Sequence, residues 1–209
     1  MVSFSTMTSS INCPSCGGPI DSVSPLSRSM VCKHCGNLLQ FDNSSWLPKG
    51  TFSASLDAPP LLRTGRTGKL AGRSFHVDGR VRLQTGSSHW DELWLSFEDG
   101  EGQWVEEDDG QYLLHESLDF QGDAATLGNV GPGQMLDSGN ESWFITEKGE
   151  AEVLAVEGQL PVSLSPGFKL IFLDAVGGGR ELAIELWLNE VSASVSKQLS
   201  PKDIQWTDL

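Results

Sequence analysis

Four cysteines stand in two pairs, Cys13-Pro14-Ser15-Cys16 and Cys32-Lys33-His34-Cys35, with fifteen residues between the pairs and no other cysteine in the chain. A Cys-x-x-Cys turn aims two sulfurs at one point, and two such turns supply the four soft ligands of a tetrahedral site. The spacing predicts a zinc ribbon over residues 11–42, in which Cys13, Cys16, Cys32 and Cys35 hold one structural Zn2+. Gly17, Gly18 and Gly36 follow the pairs, where the backbone must curl its N–H groups toward the thiolates. Four thiolates leave no open coordination position, which argues against catalytic zinc. A redox pair would open a helix in a βαβ context, and neither pair does. Disulfides would go with a secretory leader, and residues 1–10 lack the basic start of one. With the site already full, His34 reads as a surface residue. Within the ribbon, Pro19-Ile20 and residues 29–31 read as a hairpin and residues 38–41 as a third strand. So small a unit buries little surface, and metal binding supplies the missing folding free energy, on the order of 10 kcal/mol.

Beyond the ribbon the pattern is all-β. Residues 43–62, rich in Ser, Pro and Gly, read as a linker. Residues 63–209 then read as an antiparallel β-rich domain, a sandwich or a barrel, with a Gly-rich connection at 119–139 where two subdomains could part. Phe75, Val77, Val81 and Leu83 alternate with polar residues, and Gly79 marks a bulge. Asp108-Asp109-Gly110 is a hairpin turn between 103–105 and 112–114. Glu147-Lys148-Gly149-Glu150 reads as a second turn, between 142–146 and 151–156. Val176-Gly177-Gly178-Gly179-Arg180 reads as a third, between 168–175 and 181–188. The one helical signal is Ser200-Pro201-Lys202-Asp203-Ile204, with Pro at a first helical position.

Charge narrows the possible partners. The formal net charge is −14 over 209 residues. Residues 63–82 hold six basic side chains and one acid, whereas no Lys or Arg occurs from 83 to 147, against fifteen acids. Such a chain repels nucleic acid and anionic membranes, and the basic stretch is expected to pair with the acidic one. No apolar run is long enough for a membrane span, and reduced-looking cysteine pairs point to the cytoplasm. Nucleophile elbow, His-Glu-x-x-His and dinucleotide motifs are all missing, so the enzyme reading is the weaker one. The three glycines at 177–179 lead into a strand, which makes them a turn rather than a phosphate loop. Trp90 and Trp94, four apart, share a face of an extended strand and could form an aromatic platform. Asp174, just ahead of the triple glycine, reads as a turn carboxylate.

The order Cys13-Pro14-Ser15-Cys16-Gly17-Gly18-Pro19-Ile20, then Val31-Cys32 and Cys35-Gly36, then a β domain, resembles bacterial proteins that carry domain of unknown function 4178 behind a zinc ribbon. Residues 72–80, the segment Trp90-Asp91-Glu92-Leu93-Trp94-Leu95-Ser96-Phe97, and Glu157-Gly158-Gln159-Leu160-Pro161 carry the likeness further. Gln159 stands where the family usually has Glu. The resemblance implies cytoplasmic accessory proteins of membrane- or envelope-stress systems, with no catalytic residues to carry over. The first functional expectation is thus a non-enzymatic adaptor that binds another protein, basic or membrane-associated. The alternatives are a nucleic-acid-binding zinc ribbon, disfavoured by charge, and a small-ligand-binding or hydrolytic β domain. A pocket bringing His76 or His115 to Asp174 would mark the last.

Overall fold

The computed structural model describes residues 9–51, 61–86, 88–187 and 190–207. Alternation of apolar and polar side chains makes strands of most of them. The N-terminal module holds β1 (Ser9–Asn12), β2 (Pro19–Val23), β3 (Ser29–Val31), β4 (Asn37–Asp42) and β5 (Ser45–Thr51). After it come β6 (Thr67–Leu70), β7 (Arg73–Thr85), β8 (Ser88–Phe97), β9 (Gly102–Asp108) and β10 (Gln111–Ser117). A short helix α1 (Ala124–Asn129) and β11 (Met135–Ser138) precede β12 (Glu141–Leu160), β13 (Lys169–Gly177), β14 (Arg180–Trp187) and β15 (Glu190–Leu199). A 3₁₀ turn at Pro201–Asp203, capped by Ser200, leads to β16 (Ile204–Trp206).

Eight antiparallel strands form a closed barrel in the order β7-β8-β9-β10-β15-β14-β13-β12, and β12 returns to pair with β7. The two ends of β7 serve different partners. Residues 73–76 pair with β6, and residues 79–84 pair with β12. The change falls at a bulge between Val77 and Gly79, beside the glycine expected to mark it. There Gly79 faces Gly158 of β12. A Cβ on Gly79 would lie 2.2 Å from the Gln159 carbonyl oxygen, and one on Gly158 would lie 2.1 Å from that of Asp78. Gly158 also has φ +65°, a conformation that side chains resist. The barrel closes only because both crossing residues lack side chains.

One apolar core lies within the ring, where Val81, Leu83, Val153 and Leu170 pack against Trp90, Trp94 and Phe172, and two more lie outside it. Leu93, Leu95, Val105, Tyr112 and Leu114 pack under β6, β16 and Leu62. On the far side, Trp143, Ile145, Leu173, Leu182 and Ile184 pack under Leu127 of α1 and Leu136 of β11. Asp91, also on the outer face, receives Nη2 of buried Arg80 at 2.5 Å and a bidentate pair from Arg82 at 2.9 Å each. Burial works against its charge, but the two guanidiniums outweigh that and hold its carboxyl below the usual range. Arg73 reaches Asp99 and Glu101. The expected pairing of the basic stretch with the acidic one is therefore present.

Four sequence readings change. The module's β3 has β4 on one edge and residues 159–160 of β12 on the other. With both edges taken, β2 pairs with β1 instead of forming the expected hairpin with 29–31. The turn expected at 147–150 does not exist. β12 runs straight through it, and Gly149 marks instead a place where a Cβ would sit 2.6 Å from the Phe172 ring. The connection at 119–139 contains α1 and β11. The stretch read as a linker contains β5, paired with β4, while residues 52–60 lie outside the described residues. The hairpin turns at Asp109-Gly110 and Gly178-Gly179 are as expected, with positive φ at all four residues.

Gln159 joins module to barrel. Its Oε1 accepts from the Ser24 amide at 2.9 Å and the Ser27 hydroxyl at 2.8 Å, while its Nε2 donates to the Ser22 carbonyl at 2.6 Å. An ionised Glu there would keep the acceptor and lose the donor.

Gly158→Ala is expected to destabilise the protein by about 3 kcal/mol or more, because it combines a backbone clash with an unfavourable φ. Gly65→Ala, also at positive φ but with open space around it, should cost only about 1 kcal/mol. Urea unfolding of the two variants checks the difference.

Candidate functional site

Two sites emerge. In the first, the Gly17 amide donates to the Cys13 carbonyl at 2.9 Å and the Gly36 amide to the Cys32 carbonyl at 2.8 Å, closing two equivalent turns. The Gly18 amide points at Cys16 Sγ, 3.4 Å away. All four Sγ atoms lie within 4.8 Å of one another, with Cys13–Cys35 and Cys16–Cys32 at 3.9 Å. A tetrahedral ion with metal–sulfur bonds of about 2.3 Å requires roughly 3.8 Å between sulfurs, so the cluster fits a metal ion. Crowding already splits the thiols. Burial opposes ionisation of Cys13, but hydrogen bonds from the Cys16 and Ser15 amides outweigh it and bring the thiol down to about 7. At Cys35 the Asn37 amide favours the thiolate, but burial and the other three sulfurs overcome it and push the thiol up to about 12. A bound dication would remove that conflict. His34 is exposed and contacts the Pro19 carbonyl, outside the cluster.

The second site is the barrel lumen, a cavity of about 570 Å³. Along β8, Asp91, Leu93 and Leu95 point outward, while Trp90, Glu92 and Trp94 point inward. Register then carries the inner face around the ring. Glu92 is opposite Glu106 and Trp94 opposite Trp104, on β9. On the far wall, Phe172 pairs with Glu185, and Asp174 with both Ala183 and Glu147. The Trp90 and Phe172 rings meet across the lumen, 5.7 Å apart and edge to face. Trp94 and Trp104 lie 5.1 Å apart. The lining thus combines four aromatic rings with six carboxylates (Glu92, Glu106, Asp108, Glu147, Asp174, Glu185), one histidine, and neither Lys nor Arg.

Those acids are poorly suited to being charged together. Burial, then repulsion from Glu106 and Glu147, raises Asp174 to about 6. Burial raises Glu185 to about 7, although hydrogen bonds from Glu92 and Trp187 favour its charged form. Burial and the charge of Glu185 push Glu92 well above the usual range, against the bond that Trp90 Nε1 donates to it at 3.2 Å. Glu92 and Glu185, from opposite walls, therefore behave as one proton-sharing pair. Burial and the neighbouring charges of Glu106 and Asp109 also raise Asp108. Burial alone would lower His115, but the contact with Glu106 and the charges of Glu92 and Asp174 prevail, so it is raised.

His115 Nδ1 lies 2.8 Å from Ser194 Oγ, and its Nε2 lies 3.4 Å from Glu106. The three residues have the outline of a nucleophile, base and orienting acid. Two features oppose that role. The acids around His115 favour its protonated form, which weakens it as a general base. Ser194 also sits mid-strand, paired with Ser117 on one side and Ala183 on the other, which leaves no free pair of amides to hold an oxyanion.

The structure joins His115 to Asp174 in one cavity, as the ligand-pocket reading requires, but not His76. His76 is half exposed and bonded to Asp78 at 2.5 Å. Asp174 is a lumen residue within β13 rather than a turn carboxylate. Trp90 and Trp94 do share a face, but it lines the lumen instead of forming an open platform. Sequence reasoning missed Glu92, Glu106 and Glu185. Their signal was an acid at alternate positions beside tryptophans: Trp90-x-Glu92-x-Trp94, Trp104-x-Glu106 and Glu185-x-Trp187.

The profile of a family described as Domain of unknown function (DUF4178) matches residues 63–201, a stretch that contains every strand of the barrel. No curated protein and no solved structure matches the chain. Among the described residues, no helix is long and apolar enough to cross a membrane.

The raised acids make stability fall as pH rises. Glu185 keeps its proton to about pH 7 when folded, but only to about 4.3 when unfolded. Between those values the folded chain holds the extra proton, so each step upward in pH favours unfolding until the penalty is complete above about pH 7. Glu185→Gln removes that penalty. It should stabilise the protein by roughly 2 kcal/mol at about pH 8 and change little near pH 4, allowing for water in the lumen. Denaturant unfolding at the two pH values measures it.

Proposed function

This chain belongs to the DUF4178 family, whose description assigns no activity, and on that premise we propose that its barrel is a receptor for a small organic cation and that its N-terminal module is a structural zinc ribbon. The observation that carries the receptor reading is the lumen's composition: six carboxylates and four aromatic rings with no Lys or Arg to neutralise the acids. Eight-stranded barrels have room for one small ligand, and a pocket of this size buries most of such a molecule. A cation there gains Coulomb attraction from the ionised acids and quadrupole attraction from indole faces. It also displaces the proton that Glu92 and Glu185 share. Among the described residues only the four cysteines bring three or more ligand atoms to one point, so the lumen is a poorer match for an inorganic ion. The role is binding rather than catalysis, since the His115 constellation lacks an oxyanion hole.

For the module, the four-thiolate set and its spacing favour Zn2+ over harder ions. Reduced thiolate ligands suit a cytoplasmic setting, and the ribbon arrangement resembles bacterial members of the family.

A second reading, the adaptor, has its own support. Met135, Phe144 and Val176 are exposed and lie side by side across β11, β12 and β13. Such an exposed apolar row suits a protein contact. Phe144→Glu should then remove a partner that the native chain retains in a pull-down from its own host.

The receptor is tested by calorimetric titration with butylamine, choline and butyrate. The amines should bind and butyrate should not. Affinity should rise from about pH 5 to about pH 8, because Asp174 and Glu185 ionise at about 6 and about 7 and the charged forms attract the cation. Glu92→Gln with Glu185→Gln should weaken amine binding at least about tenfold. Equal binding of butyrate would overturn the proposal. For the module, elemental analysis should find one zinc per chain, and Cys32→Ser should lose it along with the folded module.

A further inference from the structure

A second cavity, of about 430 Å³, opens where the cysteine module meets the barrel. Its walls are largely apolar, with Arg28, Glu185 and Glu190 among them. Phe168 and Trp187 stack with centroids 5.9 Å apart and planes 29° apart, and Val162, Leu164 and Val191 complete an apolar trough. Trp104, Pro161, Val162, Glu185 and Ser192 line both cavities, so the two adjoin across these residues, with Glu185 between them. Arg28 of the module stands at the trough, its guanidinium bonded to the Pro25 and Ser27 carbonyls.

We propose that the occupant is an amphiphilic amine, whose ammonium group sits among the lumen acids and whose alkyl tail leaves past Glu185 along the Phe168–Trp187 trough. The inference rests on the cation reading of the lumen and adds the tail. One observation argues for it. The acids and the apolar wall belong to adjoining cavities that share Trp104 and Glu185, which matches a ligand with a charged head and an apolar tail. Arg28 and Glu190 both line the trough, so its charges offset and the apolar wall selects the tail. The fit also explains why the module is built onto the barrel through Gln159 and residues 160–162, since that junction makes the trough's second wall.

The test is calorimetry on the full chain with butylamine, hexylamine and octylamine, and with octanol and octyl sulfate as tail-matched controls. Affinity should tighten by about two- to fourfold per added methylene, the upper figure corresponding to the ~0.8 kcal/mol of a fully buried methylene. Phe168→Ala, which lies outside the lumen lining, should flatten the series while leaving butylamine within about twofold of its native affinity. The native series decides the question even if that variant does not fold. Butylamine binding with no gain for octylamine would overturn the tail and leave the cation receptor standing. Failure of all three amines would overturn both. Octyl sulfate or octanol binding as tightly as octylamine would overturn the charged head.

Discussion

The structure depends on one crossing, where β7 meets β12 at Gly79 and Gly158. Two backbones approach there more closely than any side chain allows. That approach turns an open antiparallel sheet into a ring, and a ring has an inside. β12 then does three jobs along its length. Residues 141–151 form a barrel wall, residues 152–158 close the ring on β7, and residues 159–160 receive β3 of the cysteine module. The pairing continues without interruption from barrel to module, so whatever orders one edge of the module also positions the lip of the cavity.

Closure also sorts the charges. Strand alternation sends Asp91 outward and Glu92 inward from adjacent positions. The arginines of β7 are committed outside: Arg80 and Arg82 to Asp91, and Arg73 to Asp99 and Glu101. No Lys or Arg remains for the lumen, where acids from β8, β9, β12, β13 and β14 meet around His115. The chain's large negative charge is therefore not just a solvated surface. Part of it is held in a confined space, where burial and repulsion keep several carboxyls partly protonated. A free cation would relieve the same strain that protons now relieve.

The hydrophobic arrangement serves the same end. A small barrel usually fills its interior with branched apolar residues. Here much of that packing has moved outside, under β6 and β16 on one side and under α1 and β11 on the other. The interior is shared between two uses: Val81, Leu83, Val153 and Leu170 form an apolar core against Trp90, Trp94 and Phe172, and the glutamates occupy the space beside it. The inner core and the two outer ones together offset the cost of the buried acids.

The sequence by itself determined the local features. Cys13, Cys16, Cys32 and Cys35 cluster as their spacing requires, Asp109-Gly110 and Gly178-Gly179 turn as their dihedral freedom requires, and Trp90 and Trp94 share a face because strands repeat every two residues. Each of these follows from interactions within a few residues or from a fixed ligand geometry. The tertiary structure alone decided what lies across the ring. It set which edge of β3 met β12, whether Gly149 was a turn or a gap for Phe172, and how Gln159 spans the junction. It also gathered Glu92, Glu106, Asp174 and Glu185, residues far apart in sequence, into one cavity. Those outcomes depend on pairings between distant strands and on closure at one glycine crossing; the Trp-x-Glu spacing marks which side chains share a face but not which faces meet.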